Sequence, residues 1–178
     1  FSIPEIVHIH TARPFGGWVR WHLNRARRLI AVSEYAKKIL TECGIEPGRI
    51  CVIQNGLESL PFEKARPLPL RETLGLDPDT LLAGVVGQLT PGKVIETFLE
   101  AAALLREQGH VSIRFLIAGE APPAEAGAVA YKRRLEERVK ELRLEETVHF
   151  TGFVEDVPSL MKALDILVLS SELPEGSS

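Results

Sequence analysis

The chain has 178 residues, a formal net charge of −3, 45% hydrophobic and 25% charged residues, the make-up of one globular domain or of one domain plus a piece of another. The acidic balance argues against a nucleic-acid partner, and no apolar stretch reaches the ~20 residues of a membrane span. The first residues lack the charged start and long apolar core of a secretory signal. The two cysteines, Cys43 and Cys51, have no metal-ligand spacing and read as buried thiols, so a cytoplasmic protein is expected.

Ile6 to Ile9 is a short β-branched run ending at His10, followed by a loop at Pro14, Gly16 and Gly17. Trp18 to Leu29 is predicted as a helix carrying Trp18 and Trp21 beside Arg20, Arg25, Arg27 and Arg28. Leu29 to Val32 is the next strand. Ser33 caps a helix from Glu34 to Cys43 that Gly44 ends. Arg49 to Ile53 is a further strand, and Asn55-Gly56 a turn. Residues 58–77 change character, with prolines at 61, 67 and 69 and mixed charges, and are expected to link two α/β units. Within them Leu70 to Leu76 forms a short helix closed by Gly75.

The second unit alternates regularly. An apolar run, Leu81 to Val86, has the length of a buried parallel strand. It stops at Gly87, and the turn Gln88-Leu89-Thr90-Pro91-Gly92-Lys93 leads into a helix with Ile95, Phe98, Leu99 and Ala102 on one face. Ser112 to Ile117 is a strand ending at Gly119, Ala128 to Leu142 a charged helix, and Thr147 to Phe150 a strand ending at Gly152. Asp156 caps a helix from Val157 to Leu164, and Ile166 to Leu169 is the last strand. This alternation predicts a parallel, doubly wound, Rossmann-like α/β sheet, and a strand meeting each terminus suggests that the sheet is incomplete at both ends. Ligands of such sheets bind beyond the C-terminal strand ends, here Gly87, Gly119, Gly152 and Ser170. Glycine there lets a ligand approach the backbone.

Strand, glycine turn, helix is an anion-binding arrangement, because free N–H groups and the helix dipole meet the ligand. Lys93 sits in that turn as a point charge; a plain βα turn with a solvated lysine remains open. Gly87 to Lys93 fits the start of a P-loop, but Val94 stands where the magnesium-binding Ser or Thr belongs. The dinucleotide fingerprint G-x-G-x-x-G is absent. His8 and His10 are read as facing opposite sides of their strand and so as unable to share a metal, with two structural histidines as the alternative. The Trp18 to Arg28 stretch fits either a helix resting on anionic lipid or, preferred here, one whose tryptophans pack into the core. Glu175, past a strand end, suits a bond to sugar or ribose hydroxyls.

Taken together, these stretches resemble the retaining glycosyltransferases of family 4, with the two-domain GT-B fold. The resemblance is carried by RLIAVSE (Arg28 to Glu34), VIQNGLE (Val52 to Glu58), Val86 to Leu89 with Lys93, IAGE (Ile117 to Glu120), VHFTGFV (Val148 to Val154) and the segment from Asp165 to Gly176. It implies that residues 1–57 end an acceptor domain, 58–77 link, and 78–178 form most of a nucleotide-sugar donor domain. It implies transfer of a hexosyl unit from a nucleoside diphosphate sugar, with retention and without a metal or other cofactor. Lys93 matches the lysine on the donor diphosphate, and His10 a histidine near the reacting sugar. Glu175 matches the first of two glutamates, the second lying outside this sequence. These three are the expected catalytic residues. Gly87, Gln88, Gly119, Gly152, Phe153 and Val154 join Lys93 and Glu175 as expected donor contacts. Gln88 stands where arginine is usual and Val94 where glycine is. The acceptor is expected to be a sugar, lipid-linked or small molecule, with peripheral contact at the inner face of a membrane left open. A non-catalytic nucleotide-sugar-binding domain is the alternative, and the chain by itself is expected to be inactive.

Overall fold

The computed structural model describes residues 4–10, 14–124 and 127–171. The chain divides into two compact units, one reaching Leu57 and the other running on from Glu58.

The first unit is a parallel three-stranded sheet, β1 (Ile6–Ile9), β2 (Arg28–Ala31) and β3 (Ile50–Val52), in that spatial order, with α1 (Gly17–Leu23) and α2 (Glu34–Glu42) as crossovers. Val7 lies beside Leu29, and Leu29 beside Ile50. Leu23 and Ala26 pack with Leu29, Ala31, Ala36 and Leu40 in one apolar cluster. Ser33 accepts a hydrogen bond from Ala36 N at 3.1 Å, the expected cap of α2.

Three expectations fail here. α1 stops at Leu23 rather than running to Leu29, because Leu29 is already paired in the sheet and the chain must turn between the two. Trp18 and Trp21 do not enter the core: they are 74% and 54% exposed, while Leu23 and Ala26 take the inward positions. The cysteines are not buried thiols, since Cys51 is exposed and Cys43 only partly covered; β3 turns Ile50 inward, and the next residue faces away.

In the second unit α3 (Leu60–Lys64) and α4 (Leu70–Thr73) precede β4 (Leu81–Val86), α5 (Ile95–Glu107), β5 (Ile113–Ala118), α6 (Ala128–Glu141), β6 (Val148–Gly152), α7 (Val157–Ala163) and β7 (Ile166–Leu167). The four strands are parallel in the order β6-β5-β4-β7. Successive strands step outward from β4, and the chain then returns to its other side, so order reverses at β4. One sheet face, through Ala83, Val85, Phe115 and Ile117, packs on Phe98 and Leu99 of α5 and Leu135 and Val139 of α6. These apolar positions recur every three or four residues along each helix, which is why both helices bury one stripe. On the other face lie the fully buried Leu82, Leu116 and Leu160, the last from α7. Asp156 caps α7 by accepting from Ser159 N at 3.1 Å.

The stretch expected as a linker carries α3 and α4, and both are tied to the second unit. Leu68 N donates to Ser159 O at 3.1 Å. Arg71 donates to Thr80 O at 3.0 Å and pairs with Asp165 at 2.5 Å. β7 is a two-residue, half-exposed edge strand, shorter than the expected Ile166 to Leu169.

Candidate functional site

β4 and β5 end on glycines that touch. Gly87 N donates to Ala118 O at 2.9 Å, Leu89 N to Glu120 O at 3.0 Å, and Gly119 N to Gly152 O at 2.8 Å. The three expected glycines therefore share one end of the sheet. Gly119 has φ +143°, and a Cβ there would sit 1.8 Å from Gly87 O, so no side chain fits. At Gly87, φ +151°, a Cβ would come into ordinary contact with the Lys93 side chain, whose Nζ lies 3.8 Å from that position. The lysine thus lies over the end of β4.

The chain after β4 makes a 3-10 turn at Pro91–Lys93 and enters α5 through Val94, which adopts a left-handed conformation (φ 46°, ψ 49°). The first turn of α5 is held from the side by Tyr131 of α6. Its hydroxyl accepts from Ile95 N at 2.9 Å and donates to Glu96 at 2.6 Å. Burial, with the bond to Glu96, pushes that phenol far above its ordinary range, so it stays protonated. On the β7 side, Ser170 Oγ donates to the Lys93 carbonyl at 2.7 Å. The turn bearing Lys93 is thus fixed from both sides, and it stands at the point where strand order reverses, where open α/β sheets bind ligands.

Beside it a cleft of about 420 Å³ opens over the ends of β4, β5 and β6. Gly87, Gln88 and Gly119 line it, together with Pro122, Pro123, Phe153 and Val154. The lining is mostly apolar, the kind of slot that takes a flat ring with a few polar groups to orient it. Glu120 is the charged side chain among the described lining residues. Lys132 of α6 grips both its oxygens, at 2.8 and 3.0 Å, and this bond holds the carboxyl below its usual range. Its charge is therefore compensated before any anionic ligand arrives.

Of the expected site residues, Gly87, Gln88, Gly119, Phe153 and Val154 line this cleft, Lys93 lies at its β4 end, and Gly152 faces Glu120. His10 belongs to the first unit, at the exposed C-terminal end of β1. It is not turned away from His8: the two rings lie 4.1 Å apart, tilted by 48°. Side chains two residues apart in a strand project from the same face, so the expected opposition was a miscount of the strand period. Glu175 lies outside the described residues. Tyr131, Lys132 and Ser170 were missed as supports of the site. Ser170 alone had a signal, its place at a strand end. Among the described residues no three of His, Cys, Asp and Glu are grouped as a metal site would need, and no helix is long and apolar enough to cross a membrane.

A reversed-order parallel sheet, close-packed glycines, a lysine over the strand end and an apolar slot together make the arrangement in which open α/β sheets hold anionic ligands. Residues 69–177 match the family model for Glycosyl transferases group 1, and residues 2–59 that for Glycosyltransferase Family 4. The chain belongs to the glycosyl transferases group 1 family, and its fold is of the GT-B type. It is similar to the mannosylfructose-phosphate synthase of Agrobacterium fabrum, 27% identical over 139 residues, covering 75% of this chain and 30% of that protein. It is similar to the D-inositol 3-phosphate glycosyltransferase of Mycobacterium sp. strain JLS, 30% identical over 152 residues, covering 84% of this chain and 33% of that one. The crystal structure of Anabaena HepE in complex with UDP and glucose superposes with a TM-score of 0.80 at 26% identity, over 97% of this chain and 47% of HepE. The chain spans about a third of the length of these curated relatives.

Proposed function

We propose that the second unit binds the nucleoside diphosphate of a sugar donor and serves the transfer of a hexosyl unit to an acceptor hydroxyl, with retention of configuration and without a metal. The observation that carries this is Lys93, laid over Gly87 at the reversal point beside an apolar slot. The base enters the slot between Phe153 and the two prolines, and the diphosphate lies across the glycines toward Lys93. As the bond from sugar C1 to the β-phosphate oxygen breaks, negative charge grows on the leaving group. The Lys93 ammonium and the N-terminal end of α5 stabilise it. The acceptor oxygen attacks C1 from the same face, and its proton passes to a β-phosphate oxygen. His10 serves near the reacting sugar in the acceptor half, and Glu175 meets the donor. The acceptor is a sugar, lipid-linked or small-molecule hydroxyl.

A second reading is a nucleotide-sugar-binding unit without turnover. Gln88 favours it: the neutral amide lies in the cleft where the resemblance has an arginine, so one stabiliser of the leaving charge is gone.

UDP is the first ligand to test, because HepE was crystallised with it. Calorimetry with UDP, GDP and ADP is expected to find one of them bound, and Lys93→Ala to weaken it about ten- to a hundredfold, the loss of one charged hydrogen bond. In the whole enzyme the same change is expected to lower kcat/KM by roughly 10² to 10³. No nucleotide bound by the folded chain, or binding indifferent to Lys93, would refute the site. Binding without transfer by the whole protein would establish the second reading.

A further inference from the structure

The cleft of the second unit holds a charge pair that the proposed transfer does not call on. Glu120 lies just past the end of β5, and its backbone carbonyl accepts from Leu89 N at 3.0 Å, so it is fixed to the turn that carries Gln88. Its carboxylate lies against the end of β6, where a Cβ on Gly152 would be 3.5 Å from Oε1. Lys132 reaches both carboxylate oxygens from α6, at 2.8 and 3.0 Å. The lysine keeps this station because its neighbour Tyr131 is buried and bonded to the start of α5, which sets the rotation of α6. The Glu120 and Lys132 side chains are 44% and 28% exposed. An ion pair so open contributes little to folding, and Tyr131, Leu135 and Val139 already hold α6 in the core. Glu120 also lines a mostly apolar cleft, where low-dielectric walls lengthen the reach of a charge.

We infer that Lys132 makes this cleft selective for multiply charged anionic ligands, by cancelling the charged side chain found among its described lining residues. The inference rests on the reading of the second unit as a nucleoside-phosphate site. Lys93 at the β4 end and Glu120 against the end of β6 would by themselves leave the strand ends with no excess charge. A phosphate drawn by the one would be repelled by the other. With Lys132 in place, a positive excess remains for the ligand. Protonation offers no other route to neutrality, because the bond from Lys132 holds the Glu120 carboxyl below its usual range. Lys132 takes no part in bond-making in this scheme. It tunes the field of the cleft, so its effect grows with the charge that the ligand carries.

The probes are whichever of UDP, GDP and ADP binds, its monophosphate and its nucleoside, each titrated into the full chain at low salt. Lys132→Met keeps most of the aliphatic stem and removes the charge. It is expected to weaken the diphosphate about fivefold, the monophosphate about threefold and the nucleoside less than about twofold, with the differences gone in 0.5 M NaCl. Glu120→Gln leaves the Lys132 charge uncompensated and is expected to tighten the diphosphate about threefold, although it takes a charged group out of the cleft. The two changes together are expected to return the diphosphate to within about twofold of the unaltered affinity. A merely structural pair would weaken nucleoside and diphosphate alike, and the second change would not undo the first. That result overturns the inference, as does diphosphate binding indifferent to Lys132→Met. If none of the three diphosphates binds the unaltered chain, the site itself falls and the inference with it, which sets that failure apart. Should Lys132→Met fail to fold, Glu120→Gln still decides, because weaker or unchanged diphosphate binding there overturns the inference.

Discussion

Val94 is the strained residue of the site. A β-branched side chain in the left-handed region costs about 1–2 kcal/mol, and it is held there because the chain must leave the Lys93 turn and enter α5 at once. Val94→Gly removes the strain but loosens the unfolded chain by about 0.5–1 kcal/mol. A net gain of about 0.5–1 kcal/mol is expected, seen as a higher urea midpoint at unchanged slope. A lower midpoint would mean that packing by the valine outweighs its conformation. In the sequence the strain was visible only through the resemblance, which places glycine at this position. Gly87, Gly119 and Gly152 were legible because each closes an apolar run of strand length. Their mutual contact was not, since backbone packing between neighbouring strands leaves no trace in local pattern. His8 and His10 were fully legible and were read against the strand period. The tryptophans followed composition, which favours burial for large rings, when the spacing of Leu23 and Ala26 already marked the inward side.

At the scale of the element, α5 depends on a side chain that sequence periodicity could not assign. Tyr131 occupies an inward position of α6, as Leu135 and Val139 do, and nothing local distinguishes it from a core residue. Yet it is the partner of the first N–H of α5, 36 residues away, at a helix end where backbone donors have no partner of their own. Tyr131→Phe leaves that buried N–H unpaired and is expected to cost about 1–3 kcal/mol, measured by denaturant unfolding. The same residue gives a pH signature. Its folded-state value is raised above the ordinary 10.0, so its contribution is complete below pH 10 and is lost as pH climbs through the folded value, because only the unfolded chain ionises easily. Stability should therefore fall from about pH 10 upward, and Tyr131→Phe should flatten that limb. An unchanged alkaline limb would show that the hydroxyl is not the group responsible.

For the whole molecule, the division at Leu57 and Glu58 matters more than either sheet. Residues 53–58 form no helix or strand, and Leu57 is 78% exposed. Limited proteinase K digestion is expected to make its first cut within residues 14–124 between Ile53 and Ser59. A nucleotide at a hundred times its Kd adds about 2.7 kcal/mol to the unit that binds it. UDP should then slow breakdown of the later piece and leave the earlier one untouched. Protection of both pieces, or a first cut inside β4 or α5, would contradict two separately stable units with the nucleotide site in the second. The resemblance placed a boundary near Leu57 from motif order, but it left residues 58–77 as a connector. Their ties to Ser159, Ala163 and Asp165 span about ninety positions and lie beyond any local reading.

Two neighbours on α6 serve opposite flanks of the candidate site. Tyr131 steadies the helix start next to Lys93, and Lys132 neutralises Glu120 in the slot. A quarter-turn of that helix would disturb both at once, so drift at 131 is not independent of drift at 132. Across homologous sequences, inheritance should treat positions 96, 120, 131 and 132 as a linked set, with exchanges arriving together. Freely shuffled residues at these four positions would show instead that each flank has evolved on its own.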